Sequence, residues 1–199
     1  MLPRMRVVLV HGYLAAPAVM WPLSRRLAKL GHEVELFGYP STRGHLQAHG
    51  EALARQLGGR GEVAVVAHSM GGLLVHRALS LEPRLPVSHR VFIATPHRGC
   101  RAIRWTTATP LARVMGRSIR QAADGEPVPL HSARTGIVAG TRDHTVSAEE
   151  ADLSVAHDRL HLPFTHNELV WRPETAHAVH RFLTIGWFEE PVTRRSLGL

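Results

Sequence analysis

Ser69 is the residue best placed in this chain to do covalent chemistry, and its neighbours are the reason. It sits in the run Val63-Ala64-Val65-Val66-Ala67-His68-Ser69-Met70-Gly71-Gly72. The apolar, largely β-branched stretch before it reads as a buried strand. The small residues Ala67 and Gly71, two positions to either side, let the chain turn sharply from that strand into a helix. A hydroxyl on such a turn is held exposed at the carboxyl end of the strand. Serine alone is a weak nucleophile near neutral pH, so it needs a base within hydrogen-bond reach and a third group to orient that base. Runs of the form small-x-Ser-x-Gly arise by chance in many sequences. The meaning of this one depends on whether a histidine and a carboxylate are supplied elsewhere.

Both are. In Ile137-Val138-Ala139-Gly140-Thr141-Arg142-Asp143, the acid follows an apolar strand by a few residues, where a carboxylate can hold the far nitrogen of an imidazole. Asp124 competes but lies in a Gly-Glu-Pro turn, while Asp152 and Asp158 lack a preceding buried strand. In Leu160-His161-Leu162-Pro163-Phe164-Thr165-His166, the first histidine lies within an apolar run and reads as a structural residue. His166, in the loop that follows, suits a general base. After the first strand, His11-Gly12-Tyr13 offers a backbone amide, that of Tyr13, to a developing oxyanion. The amide of Met70, directly after the serine, would be the second donor. The Tyr13 side chain reads equally as pocket wall or as loop packing.

The elements that must position these groups follow from periodicity. Strands are expected over 6–10, 33–37, 63–67, 90–94, 135–139 and, more weakly, 158–162. Between them run helical patterns from about Ala18 to Leu30, ending at Gly31, and from about Gly44 to Leu57, with Ser41 or Thr42 as a start and Gly58-Gly59 as an end. Another runs from the Ser69 turn to about Leu81, and a last one begins near Pro173. Strands alternating with helices predict a mainly parallel sheet of about six strands with helices on both faces. Residues 97–133 break the alternation. There Thr109-Pro110 looks like a helix start, followed by Leu111, Val114, Met115 and Ile119 at helical spacing. This connection reads either as a lid or pocket wall beside the site or as an ordinary amphipathic helix covering the sheet. No linker or repeat divides the 199 residues, so one domain is expected, with a loose polar tail over 189–199.

The order Ser69, Asp143, His166, each after a strand, is the chain order of one fold among those that carry this triad. On His11-Gly12, the run from Ala67 to Gly72, Thr95-Pro96-His97-Arg98-Gly99, Asp143-His144-Thr145-Val146 and Thr165-His166, the chain resembles the α/β-hydrolase superfamily, among its small bacterial lipases and esterases. The resemblance runs from Val7 to about Phe188. It implies a minimal α/β-hydrolase fold without a large cap domain, and an acyl-transfer role for the three residues. It also implies an open site suited to small-molecule or lipid-like esters, with no metal or organic cofactor. Ala67 departs from the glycine usual there, a modest steric demand. Acyl transfer to an alcohol or thiol, thioester hydrolysis, and a non-catalytic binding module on the same scaffold are the competing readings.

Composition narrows the rest. The formal charge of +8 is almost wholly arginine, in short scattered blocks without interleaved aromatics, which argues against nucleic-acid binding. A solvated basic surface is the plain reading, and peripheral contact with anionic lipid is the alternative. The single cysteine, Cys100, excludes an internal disulfide. The N-terminal apolar run Val7–Val10 is too short for a signal peptide or membrane span, so a cytoplasmic, unexported chain is expected. His177 and His180, three apart on the last helix near Glu174, have the spacing of metal ligands but no third partner in view, and His11, His68 and His97 read as loop supports. Trp105 reads as acyl-pocket wall or as packing. Oligomeric state is not readable from these residues.

Overall fold

The computed structural model describes residues 4–59, 61–107, 119–120 and 123–189. Six strands, β1 (Arg6–Val10), β2 (Glu33–Phe37), β3 (Val63–His68), β4 (Val87–Ile93), β5 (Arg134–Gly140) and β6 (Asp158–Leu162), form one sheet in the order β2-β1-β3-β4-β5-β6. Every pairing is parallel. The strand order reverses between β1 and β3. At such a switch point the chain leaves two adjacent strand ends in opposite directions, opening a crevice at the carboxyl edge. The Ser69 turn follows β3 and the His11-Gly12 loop follows β1, so both border that crevice.

Strand alternation divides the core into two layers. Val8, Val10, Val63, Val65, Ala67 and Phe92 face helices α2 (Leu46–Gly58) and α3 (Met70–Leu81). Val7, Leu9, Ala64, Val66, Val91 and Ile93 face the other way, against α1 (Trp21–Lys29) and two helices after β6, here α6 (Glu168–Trp171) and α7 (Pro173–Ile185). Each fully buried leucine, valine or phenylalanine contributes on the order of 1.5–3 kcal/mol of transfer free energy. The central strands β1 and β3, buried on both faces, therefore anchor the site loops to the most stable part of the molecule. Two shorter helices, α4 (Arg101–Thr107) and α5 (Ala148–Ala151), lie after β4 and β5. No helix among the described residues is long and apolar enough to cross a membrane.

Several boundaries differ from the periodicity. The first helical pattern is a 3-10 turn over Pro17–Met20 followed by α1, with Pro22 in its first turn. Proline has no N–H to give to an acceptor four residues back, so a helix continuous through it is excluded. Gly31, at φ 98°, ends it as expected. The second helix starts at Leu46, with His45 rather than Ser41 or Thr42 at its N-cap. β4 begins at Val87, three residues early: Val87 and His89 pair with β3 across a register shift that skips Ser88, and Ser88 and His89 carry no apolar signal. β3 runs on through His68, which is buried. The helix expected near Thr109 falls almost wholly outside the described residues, as does the tail from 190. Ile119, its last member, is buried against the α2 and α3 layer. α5 opens on a capping box: Ser147 Oγ accepts from Glu150 N at 3.2 Å and Glu150 Oε2 accepts from Ser147 N at 2.9 Å.

Candidate active site

Ser69 joins β3 directly to α3 with φ 54° and ψ −130°, a conformation that L residues rarely adopt. The turn persists because its surroundings leave no alternative. A side chain at Gly71 would bring its Cβ to 2.6 Å from His11 O and 2.7 Å from Val10 O, so α3 can sit against the end of β1 only with glycine there. Gly12 lies equally close: a Cβ on it would stand 2.9 Å from Ser69 Cβ and 3.4 Å from Ser69 Oγ. Ala67, by contrast, is buried in the α2 and α3 layer without displacing it, so the methyl in place of glycine is accommodated.

The loop after β5 brings Asp143 beneath the loop after β6. His166 Nδ1 donates to Asp143 Oδ2 at 2.7 Å, and Ser69 Oγ donates to His166 Nε2 at 2.9 Å. This assignment of protons follows from the network, since an ionised carboxylate only accepts. Asp143 Oδ1 accepts from Thr145 N at 2.8 Å and Val146 N at 2.9 Å, and its side chain is wholly buried. Burial by itself would raise the Asp143 pKa. The hydrogen bond and charge of His166, with the amides of Val146 and Thr145, outweigh that and hold it below its ordinary value. The carboxylate is thus kept ionised against the imidazole. Glu168, at the start of α6, fixes the histidine loop from the other side, accepting from Thr165 N at 3.0 Å and Thr165 Oγ1 at 2.9 Å.

Met70 is the first residue of α3, where a helix amide has no intrahelical acceptor and the macrodipole is positive. Tyr13 follows Gly12 in the loop that passes Ser69, and its half-buried side chain packs on the α2 and α3 layer. That loop is braced by residues the sequence did not single out together. Tyr39 OH donates to His11 O at 2.9 Å, its ring stacks on His11 at 4.4 Å, and His11 Nδ1 donates to Gly12 O at 2.9 Å. The tyrosine lies just past β2, the strand beside β1, and only pairing of those strands reveals the contact.

The remaining candidates go elsewhere. His161 is exposed, on edge strand β6, and lines an open cavity of about 350 Å³ with Arg98, Asp152 and Arg159. It is neither buried nor near Ser69, because β6 is a sheet edge and alternates between half-covered and open positions. Asp152 pairs with Arg159 at 2.7 Å, and Asp158 Oδ2 accepts from Phe188 N at 2.7 Å. His180 Nδ1 is 2.9 Å from His32 Nε2, and no group of three or more His, Cys, Asp or Glu suited to a metal occurs among the described residues. His97 meets His76 at 2.8 Å inside the core. Cys100 is buried and donates to Thr145 O at 3.2 Å. Trp105 is 80% exposed on α4 and therefore does not serve as packing.

Among curated proteins no sequence relative matches the chain. Solved structures resemble it in fold. The mature form of lipase BlEst2 from Bacillus licheniformis superimposes with a TM-score of 0.70 at 17% identity, over 92% of this chain and 91% of that one. Lipase B of Aspergillus fumigatus gives 0.70 at 21% identity, over 90% of this chain but 52% of its own, so this chain spans about half its length. MGS-MChE2, an alpha/beta hydrolase from a lagoon-sediment metagenome, gives 0.67 at 16% identity, over 91% and 89%. The sequence model of the alpha/beta hydrolase family matches residues 7–195, from the first buried strand past the last helix. With a match of that extent, on a six-stranded parallel sheet without a large cap among the described residues, the chain belongs to the alpha/beta hydrolase family.

Proposed function

We propose that this protein is a serine hydrolase of carboxylic esters, with Ser69 as nucleophile, His166 as general base and acid, and Asp143 as the group that orients and charges the histidine. The observation that carries the reading is the pair of hydrogen bonds through one imidazole, 2.9 Å to Ser69 Oγ and 2.7 Å to Asp143 Oδ2. With Nδ1–H given to the carboxylate, Nε2 is free to take the serine proton as Oγ attacks the ester carbonyl. The amides of Met70 and Tyr13 would receive the oxyanion of the tetrahedral intermediate, a preorganised pair at the positive end of α3. His166 then passes its proton to the leaving alcohol. Water, deprotonated by the same nitrogen, hydrolyses the acyl-serine.

That two of the structural relatives are lipases supports an ester as the substrate, a lipid-like one included. An aryl fluorophosphonate followed by intact-mass measurement tests the nucleophile: the parent chain gains one label and Ser69→Ala gains none. Hydrolysis of p-nitrophenyl esters of graded acyl length, with and without a lipid interface, then reads the substrate class. Labelling of Ser69→Ala, or ester turnover that survives that substitution, overturns the proposal.

A further inference from the structure

His68 has no part in the proposed chemistry. It is the last residue of β3 and the direct neighbour of Ser69. Along β3, Ala64 and Val66 face the α1, α6 and α7 layer, and by the same alternation so does His68. That is the layer from which the His166 loop reaches the site, since α6 begins at Glu168. The two rings meet at 4.7 Å between centroids, and His68 Nε2 lies 3.1 Å from the backbone oxygen of His166. A carbonyl oxygen only accepts, so Nε2 must carry the proton and His68 is fixed as one tautomer. Its Nδ1 is buried with no partner among the described residues, so this single bond is the ring's polar contact with them.

We infer that His68 is a positioning residue: its Nε2–H holds the backbone of His166 so that the imidazole bridges Ser69 and Asp143. The inference rests on the proposed serine chemistry. It makes the elbow and the histidine loop a single unit, in which the residue before the nucleophile fixes the residue that activates it. Side-chain bonds set the plane of the His166 ring. The carbonyl bond sets where its Cα stands, and an imidazole displaced by a fraction of an ångström bridges its two partners with poorer geometry. Burial pushes the His68 ring down to about 3, with the neighbouring His166 adding to the effect, so the donor stays neutral and in place throughout the neutral range.

The test compares His68→Leu with His68→Gln, whose side-chain amide can place an N–H where Nε2 stands. His68→Leu is expected to lose about tenfold in kcat, the worth of one well-made hydrogen bond, with KM little changed, and His68→Gln to recover most of it. Unchanged kcat in His68→Leu overturns the inference. So does an equal loss in both variants, or a rise in KM that accompanies it, either of which marks a packing role. On the parent protein, nitrogen NMR of the histidine rings should show His68 as the neutral Nε2–H tautomer. A Nδ1–H tautomer, or a ring that titrates near neutrality, overturns it whether or not the variants fold. Failure of the serine reading is separate: it shows as activity surviving Ser69→Ala in an otherwise parental chain.

Discussion

Replacing Asp143 by asparagine separates its effect on chemistry from its effect on stability, because its two oxygens do different work. Oδ1 accepts from Thr145 N and Val146 N, and Oδ2 accepts from His166 Nδ1. In Asp143→Asn the amide oxygen keeps both backbone partners, while the NH2 takes the place of Oδ2 and offers a hydrogen to Nδ1. The ring must then accept there and carry its proton on Nε2. That turns the acceptor for the Ser69 hydroxyl into a donor. The expected loss is about 10⁴-fold in kcat, about 5–6 kcal/mol on the barrier, with unfolding free energy within about 1 kcal/mol of the parent. Asp143→Ala loses the chemistry as well but also strands the amides. Thr145 N is exposed and water replaces its partner, whereas Val146 N is partly buried and its loss costs about 1–3 kcal/mol. That corresponds to a fall of very roughly 2–12 °C in Tm for a chain of this size. Ester hydrolysis and thermal unfolding of the three proteins, measured side by side, decide it. If Asp143→Asn keeps more than about a hundredth of the parental kcat, or is destabilised as much as Asp143→Ala, the tautomer argument is wrong.

Two further perturbations test the interior. Burial drives His68 and His97 down to about 3 and His76 well below its ordinary 6.5, so the unfolded chain takes up protons below pH 6.5 that these folded rings refuse. Stability is full above that pH and falls as pH drops toward 3, by up to about 4 kcal/mol per pH unit for the three rings together. Urea melts at stepped pH should show this loss setting in near pH 6, and a midpoint flat down to pH 4.5 would falsify it. Arg90 is 2% exposed, donates through Nε to Thr135 Oγ1 at 2.6 Å, and has no carboxylate within salt-bridge distance among the described residues. Because a buried charge without a counter-charge carries its desolvation cost uncompensated, Arg90→Met should leave Tm unchanged or raise it. Thr135 Oγ1 keeps its bond to Ala133 O, and a marked fall in Tm refutes the reasoning.

Much of the scaffold was legible because strand burial writes itself as apolar, β-branched runs. β1, β2 and β6 fall where periodicity placed them, and the last helix begins at Pro173 as its proline suggests. The Ser69 turn was legible for a similar reason. Ala67 and Gly71 flanking Ser69 show in the string of letters, although what bars a side chain at Gly71 is the end of β1, far back in the chain. Asp143 and His166 were legible as loop residues after strands, although the sequence alone could not bring them within 2.7 Å of each other.

What the sequence determined by itself is the set of short-range demands: which runs are buried, which turn is flanked by small residues, and which side chains stand beyond strand ends. Only the tertiary structure decided which of those side chains meet. The strand order β2-β1-β3-β4-β5-β6 puts Tyr39 over His11 and the histidine loop over His68, and it leaves His161 on an open edge. The physical reason is that pairing between residues far apart in the chain depends on the closure of the whole sheet. A period of two tells which face a residue takes, while the neighbour it finds on that face is set by strands and loops up to about a hundred residues away, as His68 and His166 are.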